Sequence, residues 1–121
     1  MKGKILVVDD EINQGMLYEQ ELEDEGYEVD VANSGKDALE LVRTGGYDLV
    51  VLDIGMPDMD GLEALGRMLS MDNKLPVILN TAYPSYKDNF MSWAADAYVV
   101  KSSDLTELKE RISESLAKKN A

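Results

Sequence analysis

Three aspartates, a threonine and a lysine are the residues whose type and spacing point to chemistry. Asp9 and Asp10 directly follow the apolar run 5–8, and Asp53 directly follows the run 49–52. Thr81 comes after Asn80 at the end of the run 77–79, and Lys101 directly follows 97–100. If the first and third runs are neighbouring strands, the three carboxylates converge. Like charges that close raise one another's pKa, and a hard divalent cation with oxygen ligands, Mg2+ above all, neutralises them.

Each residue alone has a plainer reading. An aspartate at a strand end usually caps the next helix or turn. A threonine there is usually a loop or cap hydroxyl, and a lysine a solvated surface cation. Together they make a different object: a cation held by acids, a carboxylate nucleophile, an ammonium and a hydroxyl. That set cradles a phosphoryl group, whose transfer depends on positioning and charge stabilisation rather than on acid–base work.

The rest of the composition narrows the chemistry to this kind. With no Cys and no His, the chain lacks disulfides, thiolate or imidazole metal sites, cysteine nucleophiles and the usual general base. A formal charge of −12, from 24 acidic and 12 basic residues, repels phosphate backbones and anionic lipid, so neither direct nucleic-acid binding nor membrane association is expected. The apolar run after the first lysines is too short for a signal peptide or span, which predicts a cytoplasmic protein.

The elements that must position these residues are legible as an alternation. Apolar runs at 5–8, 29–32, 49–52, 77–79 and 97–100 are rich in Val, Ile and Leu without polar alternation, as in strands covered on both faces. Between them lie helical segments. Ile12 to Glu25 is rich in Glu, Leu, Met and Gln and ends at Gly26; Ala38, Leu39 and Val42 follow Ser34; Leu62, Leu65 and Leu69 follow Asp60-Gly61. Tyr86, Phe90 and Ala94 follow Ser85, and Leu105, Leu108, Ile112 and Leu116 follow a capping Asp104 with Glu107 three residues on. This predicts an α/β fold, a (βα)5 doubly wound parallel sheet whose site lies at the carboxyl ends of its strands. Residues 1–121 are expected to form a single domain, with 118–121 a frayed tail or the start of a linker.

Four ordered segments carry a family resemblance: Val7-Val8-Asp9-Asp10-Glu11, Asp53-Ile54-Gly55-Met56-Pro57-Asp58-Met59-Asp60-Gly61, Asn80-Thr81-Ala82 and Ala95-Asp96-Ala97-Tyr98-Val99-Val100-Lys101. From about residue 4 to 117 the sequence resembles the CheY-like receiver domains of bacterial two-component response regulators. The resemblance implies the flavodoxin-like strand order 2-1-3-4-5 and makes Asp53 the phospho-acceptor. Mg2+ would be held by Asp10, Asp53 and the main-chain carbonyl of Gly55, with Asp9 acting through water. Thr81 and Lys101 would bind phosphoryl oxygens, and Thr81 with Tyr98 would form the switch. The donor would be a histidine kinase or histidine phosphotransfer protein. An output protein or domain would be met through the face of the fourth predicted helix, fifth strand and fifth helix, by a monomer or a phosphorylation-dependent dimer. Such a chain is no enzyme beyond its own phosphorylation and dephosphorylation, and needs no organic cofactor.

Two positions depart from the pattern. Ser102 stands where similar domains place a cis-bonded proline; a non-proline cis bond costs about 2.5–4 kcal/mol, so either that strain is retained or the peptide is trans. Gly55 leaves the acyl phosphate unshielded where a larger side chain could cover it, and Tyr83 is an alternative shield. Pro57 and Gly61 suit the turn from Asp53 into a helix capped by Asp60, and Tyr86, Phe90 and Trp93 at helical spacing read as core packing or a partner stripe. The competing functions are a Mg2+-dependent phosphatase or phosphotransferase using Asp53 on an outside substrate, and a binding module that is not phosphorylated.

Overall fold

Leu6 and Val8 face one side of strand β1 (Lys4–Val8) while Ile5 and Val7 face the other, and all four are buried. That double burial is what a run without polar alternation requires. In this computed structural model, which describes residues 2–55, 59, 61–82 and 94–119, β1 lies inside a five-stranded sheet with β2 (Glu28–Ala32), β3 (Leu49–Leu52), β4 (Val77–Thr81) and β5 (Ala97–Val100). The order is β2-β1-β3-β4-β5, and every pairing is parallel.

Helices α1 (Ile12–Asp24) and α4 (Thr106–Lys119) cover one face, burying Tyr18, Leu22, Leu108, Ile112 and Leu116 with Ile5, Val7, Leu49, Val51 and Ile78. Helices α2 (Gly35–Gly45) and α3 (Gly61–Met71) cover the other, where Ala38, Leu39, Leu62, Leu65 and Met68 pack on Leu6, Val8, Val50, Leu52 and Leu79. Each fully buried Leu, Ile or Met contributes about 1.5–3 kcal/mol, so two such layers pin the strands between them.

Local signals set the boundaries. The Ser34 hydroxyl accepts the Asp37 N–H at 3.1 Å to start α2, which ends on Gly46 at φ 66°. Gly26, at φ 101°, follows α1. Asp104 accepts the Thr106 N–H at 3.0 Å ahead of α4. α1 is less cleanly amphipathic: it leaves Ile12, Met16 and Leu17 largely exposed.

The structure bears on two expectations. α4 runs through Lys118 and Lys119, the first residues of the stretch 118–121 read as a frayed tail or the start of a linker, and Lys119 Nζ reaches Asp48 Oδ1 at 3.3 Å. Of the two alternatives for the Lys101–Ser102 peptide, the structure has the trans one. The predicted helix after Ser85, with Tyr86, Phe90 and Trp93, falls largely outside the described residues, as do Met56, Pro57, Asp58, Asp60 and Tyr83. Among the described residues no helix is long and apolar enough to cross a membrane.

Candidate functional site at the carboxyl rim of the sheet

The parallel ladder continues one residue past the strands, and that continuation carries the site. Asp9 N–H donates to Ala32 O at 3.0 Å, and Asp53 N–H donates to Val8 O at 3.0 Å. Because Val8 pairs with Leu52 in register, Asp9 and Asp53 emerge side by side. At the next pairing Thr81 is opposite Val100, and Lys101 N–H donates to Thr81 O at 2.8 Å. Backbone hydrogen bonds thus fix the base of all four side chains.

The side chains then converge. Asp9, Asp10 and Asp53 each offer a carboxylate oxygen, and those oxygens lie within 4.8 Å of one another. Asp9 and Asp53 are only 1% and 6% exposed, whereas Asp10 is half-buried. Lys101 Nζ donates to Asp9 Oδ2 at 2.8 Å and to Asp53 Oδ2 at 3.1 Å. Burial pulls this ammonium toward its neutral form, but the hydrogen bond from Lys101 to Asp9 and the charge of Asp53 outweigh burial and hold it well above the usual lysine range. Part of the neutralisation that the sequence assigned to a cation is therefore supplied by Lys101.

The remaining acceptor capacity is directed by the backbone. Asp9 Oδ1 accepts the Glu11 N–H at 2.9 Å, and Asp53 Oδ1 accepts the Gly55 N–H at 3.1 Å. Asn33 Nδ2 donates to the Asp9 carbonyl at 3.0 Å, tying the β2 end to the same rim. Gly61 lets α3 start directly against this loop. A Cβ there would lie 2.3 Å from Ile54 Cα and 2.7 Å from Asp53 O, while the Gly61 N–H donates to Ile54 O at 3.0 Å.

The donor set suits a hard divalent cation. Three carboxylates without nitrogen or sulfur ligands match Mg2+ better than a thiophilic metal. Thr81 is fully buried at the β4 end, and Gly55 is exposed beside Asp53. Tyr98 is half-buried in β5, paired in register with Leu79 and packed on the α2–α3 side of the core.

The roles of Tyr18 and Asn80 are not apparent from the sequence. Tyr18 is buried on α1 and Asn80 is buried in β4. Burial pushes the Tyr18 phenol up, and Asn80 and Lys101 draw it back. An amide interrupting an otherwise apolar strand was the available signal.

The model of the response regulator receiver domain family matches residues 5–113. The transcriptional regulatory protein YkoG of Bacillus subtilis is 40% identical over 117 residues, covering 95% of this chain and 51% of its own length. The response regulator ArlR of Staphylococcus saprophyticus is 40% identical over 90% of this chain and 50% of its own. The chain thus spans about half the length of these curated relatives. The Thermotoga maritima response regulator TrrA, solved with Mg2+-BeF, superposes with a TM-score of 0.91 at 48% identity, covering 93% of this chain and 98% of that one. TrrA solved in complex with the histidine kinase ThkA gives a TM-score of 0.89 at 48% identity, covering 94% and 98%.

Proposed function

This chain belongs to the response regulator receiver domain family, and from that premise we propose that Asp53 is the phospho-acceptor of a signalling switch charged by a histidine kinase or histidine phosphotransfer protein. The observation that carries the reading is Lys101 Nζ bridging Asp9 and Asp53 beside Asp10. In the transfer, an Asp53 carboxylate oxygen attacks phosphorus. The new P–O bond forms as the P–N bond to the donor imidazole breaks, and that electron pair stays on the imidazole nitrogen.

Asp9, Asp10, Asp53 and the Gly55 carbonyl would hold Mg2+, which when bound offsets the charge of the carboxylates and phosphoryl oxygens. Lys101 stays beside the acceptor and pairs with the added charge. The Gly55 N–H orients the Asp53 carboxylate. The Thr81 hydroxyl contributes a further donor to the phosphoryl oxygens. TrrA supports this reading through its structures with Mg2+-BeF and with ThkA.

Drawing Thr81 toward a new dianion shifts the end of β4, and Tyr98 follows in the adjacent strand. The change reaches the surface around β5 and α4, where an output protein or domain would be met, by a monomer or a phosphorylation-dependent dimer. Residues 1–121 act as one receiver unit in the cytoplasm, and the only reactions they catalyse are their own phosphorylation and dephosphorylation.

The test is intact mass after incubation with Mg2+ and acetyl phosphate. The natural chain should gain roughly 80 Da as an acyl phosphate, and the Asp53→Asn variant should gain nothing. Equal labelling of both would place the acceptor elsewhere.

A further inference from the structure

The three clustered carboxylates are not held alike. Asp9 and Asp53 each take a hydrogen bond from Lys101 Nζ and another from a main-chain N–H, that of Glu11 and of Gly55 respectively. Among the described residues no hydrogen bond or ion pair holds the Asp10 carboxylate, although one of its oxygens lies within 4.8 Å of the other two groups. Its place therefore follows from its backbone, whose direction is set by the planar peptide joining Asp9 to Asp10.

One side chain fixes that peptide from outside β1. Asn33 Nδ2 donates to the Asp9 carbonyl at 3.0 Å, next to the point where the Asp9 N–H donates to Ala32 O. The end of β2 thus grips Asp9 at both its N–H and its C=O. The space beside the amide is kept by Gly15 on α1, where a Cβ would stand 2.8 Å from Val31 Cγ1 and 3.6 Å from Asn33 Nδ2. Glycine inside a helix is less favourable than alanine, so α1 gives up helix propensity where it passes the end of β2. Asn33 itself is exposed, and burial does not account for its placement.

We propose that Asn33 is a positioning residue for the metal site: by seating the Asp9 carbonyl, it turns the Asp9–Asp10 peptide so that the Asp10 carboxylate joins those of Asp9 and Asp53. The proposal rests on these three carboxylates holding Mg2+. Asn33 bonds to main chain rather than to a carboxylate oxygen, and it acts through Asp10.

The experiment compares the natural chain with Asn33→Ala, Asp10→Asn and the double variant, by calorimetric titration with Mg2+ and by the urea midpoint without it. Asn33→Ala removes one bond at an exposed position, so it should fold with a nearly natural midpoint. It should nevertheless bind Mg2+ about 10-fold more weakly, as when a partner that orients a metal ligand is lost. Adding Asn33→Ala to Asp10→Asn should lower the affinity no further, since the carboxylate whose direction it sets is already gone. A second loss of the same size in the double variant would mean that Asn33 acts apart from Asp10 and would overturn the proposal. A natural chain that binds no Mg2+ sinks the metal-site reading and this proposal together; a natural chain that binds it, matched by Asn33→Ala, sinks this proposal alone.

Discussion

Lys101 Nζ sits 2.8 Å from Asp9 Oδ2 across 92 residues of sequence, and the same ammonium lies 3.1 Å from Asp53 Oδ2. One lysine thus occupies the charge position that a divalent cation would also favour, and the two cations would compete for the same carboxylates.

Replacing that ammonium with an apolar side chain removes the competitor. Lys101→Met should bind Mg2+ more tightly, by about 3- to 10-fold for a charge at this range in a partly screened site, while its phosphorylation slows. Calorimetric titration with Mg2+ reads the first effect and intact mass the second; weaker Mg2+ binding in the variant would contradict the competition.

Metal binding should also appear as stability. At a concentration one hundred times its Kd, a ligand specific to the folded state adds about 2.7 kcal/mol, so Mg2+ should raise the Tm of the natural chain by several degrees. Asp10→Asn keeps the Lys101 contacts to Asp9 and Asp53 but removes one of the three clustered carboxylates. Differential scanning calorimetry with and without Mg2+ should show most of the Tm gain lost in that variant.

The lysine predicts a pH dependence of definite sign. Its folded pKa lies above the unfolded value, so its contribution is complete below the unfolded value and is lost as pH rises toward the folded one. Urea stability of the natural chain should therefore fall relative to Lys101→Met above about pH 10.4, the ordinary lysine value, and the difference should be flat between pH 7 and 9. A difference that grows as pH is lowered within that range would contradict the sign.

Gly61→Ala tests how α3 is seated. The added Cβ meets backbone, Ile54 Cα at 2.3 Å and Asp53 O at 2.7 Å, so the helix start or the Asp53 loop must move. A loss of about 1–3 kcal/mol is expected from such overpacking, read from urea denaturation. Acetyl phosphate labelling should slow as well, because the displaced loop carries Asp53, the proposed acceptor.

Much of this arrangement could be read from the chain. The β3 and β5 runs match the observed strands, and β4 extends past 79 to take in Asn80 and Thr81 because the ladder to β5 continues there. Asp9, Asp10, Asp53 and Lys101 were found because strand ends of a parallel sheet share a rim, so position alone implies proximity. Less legible were relations set by tertiary contact. Lys119 stays helical through Asp48, 71 residues away, and Lys109 on α4 reaches Glu21 on α1 at 3.1 Å only once the two helices lie side by side. Neither pairing follows from periodicity along one element.

The ladder bonds from Asp9 to Ala32, from Asp53 to Val8 and from Lys101 to Thr81 have a consequence for how freely chain length can vary. Each of Asp9, Asp53 and Lys101 is set by the strand beside it, whatever the length of chain between them. The turns at the opposite rim, through Gly26, through Gly46 and at residues 72–75, join elements without entering the site. Insertions or deletions in those turns should leave the spacing of Asp9, Asp53 and Lys101 intact, whereas one residue added inside β1, β3 or β5 would turn its carboxylate or ammonium to the opposite face of the sheet.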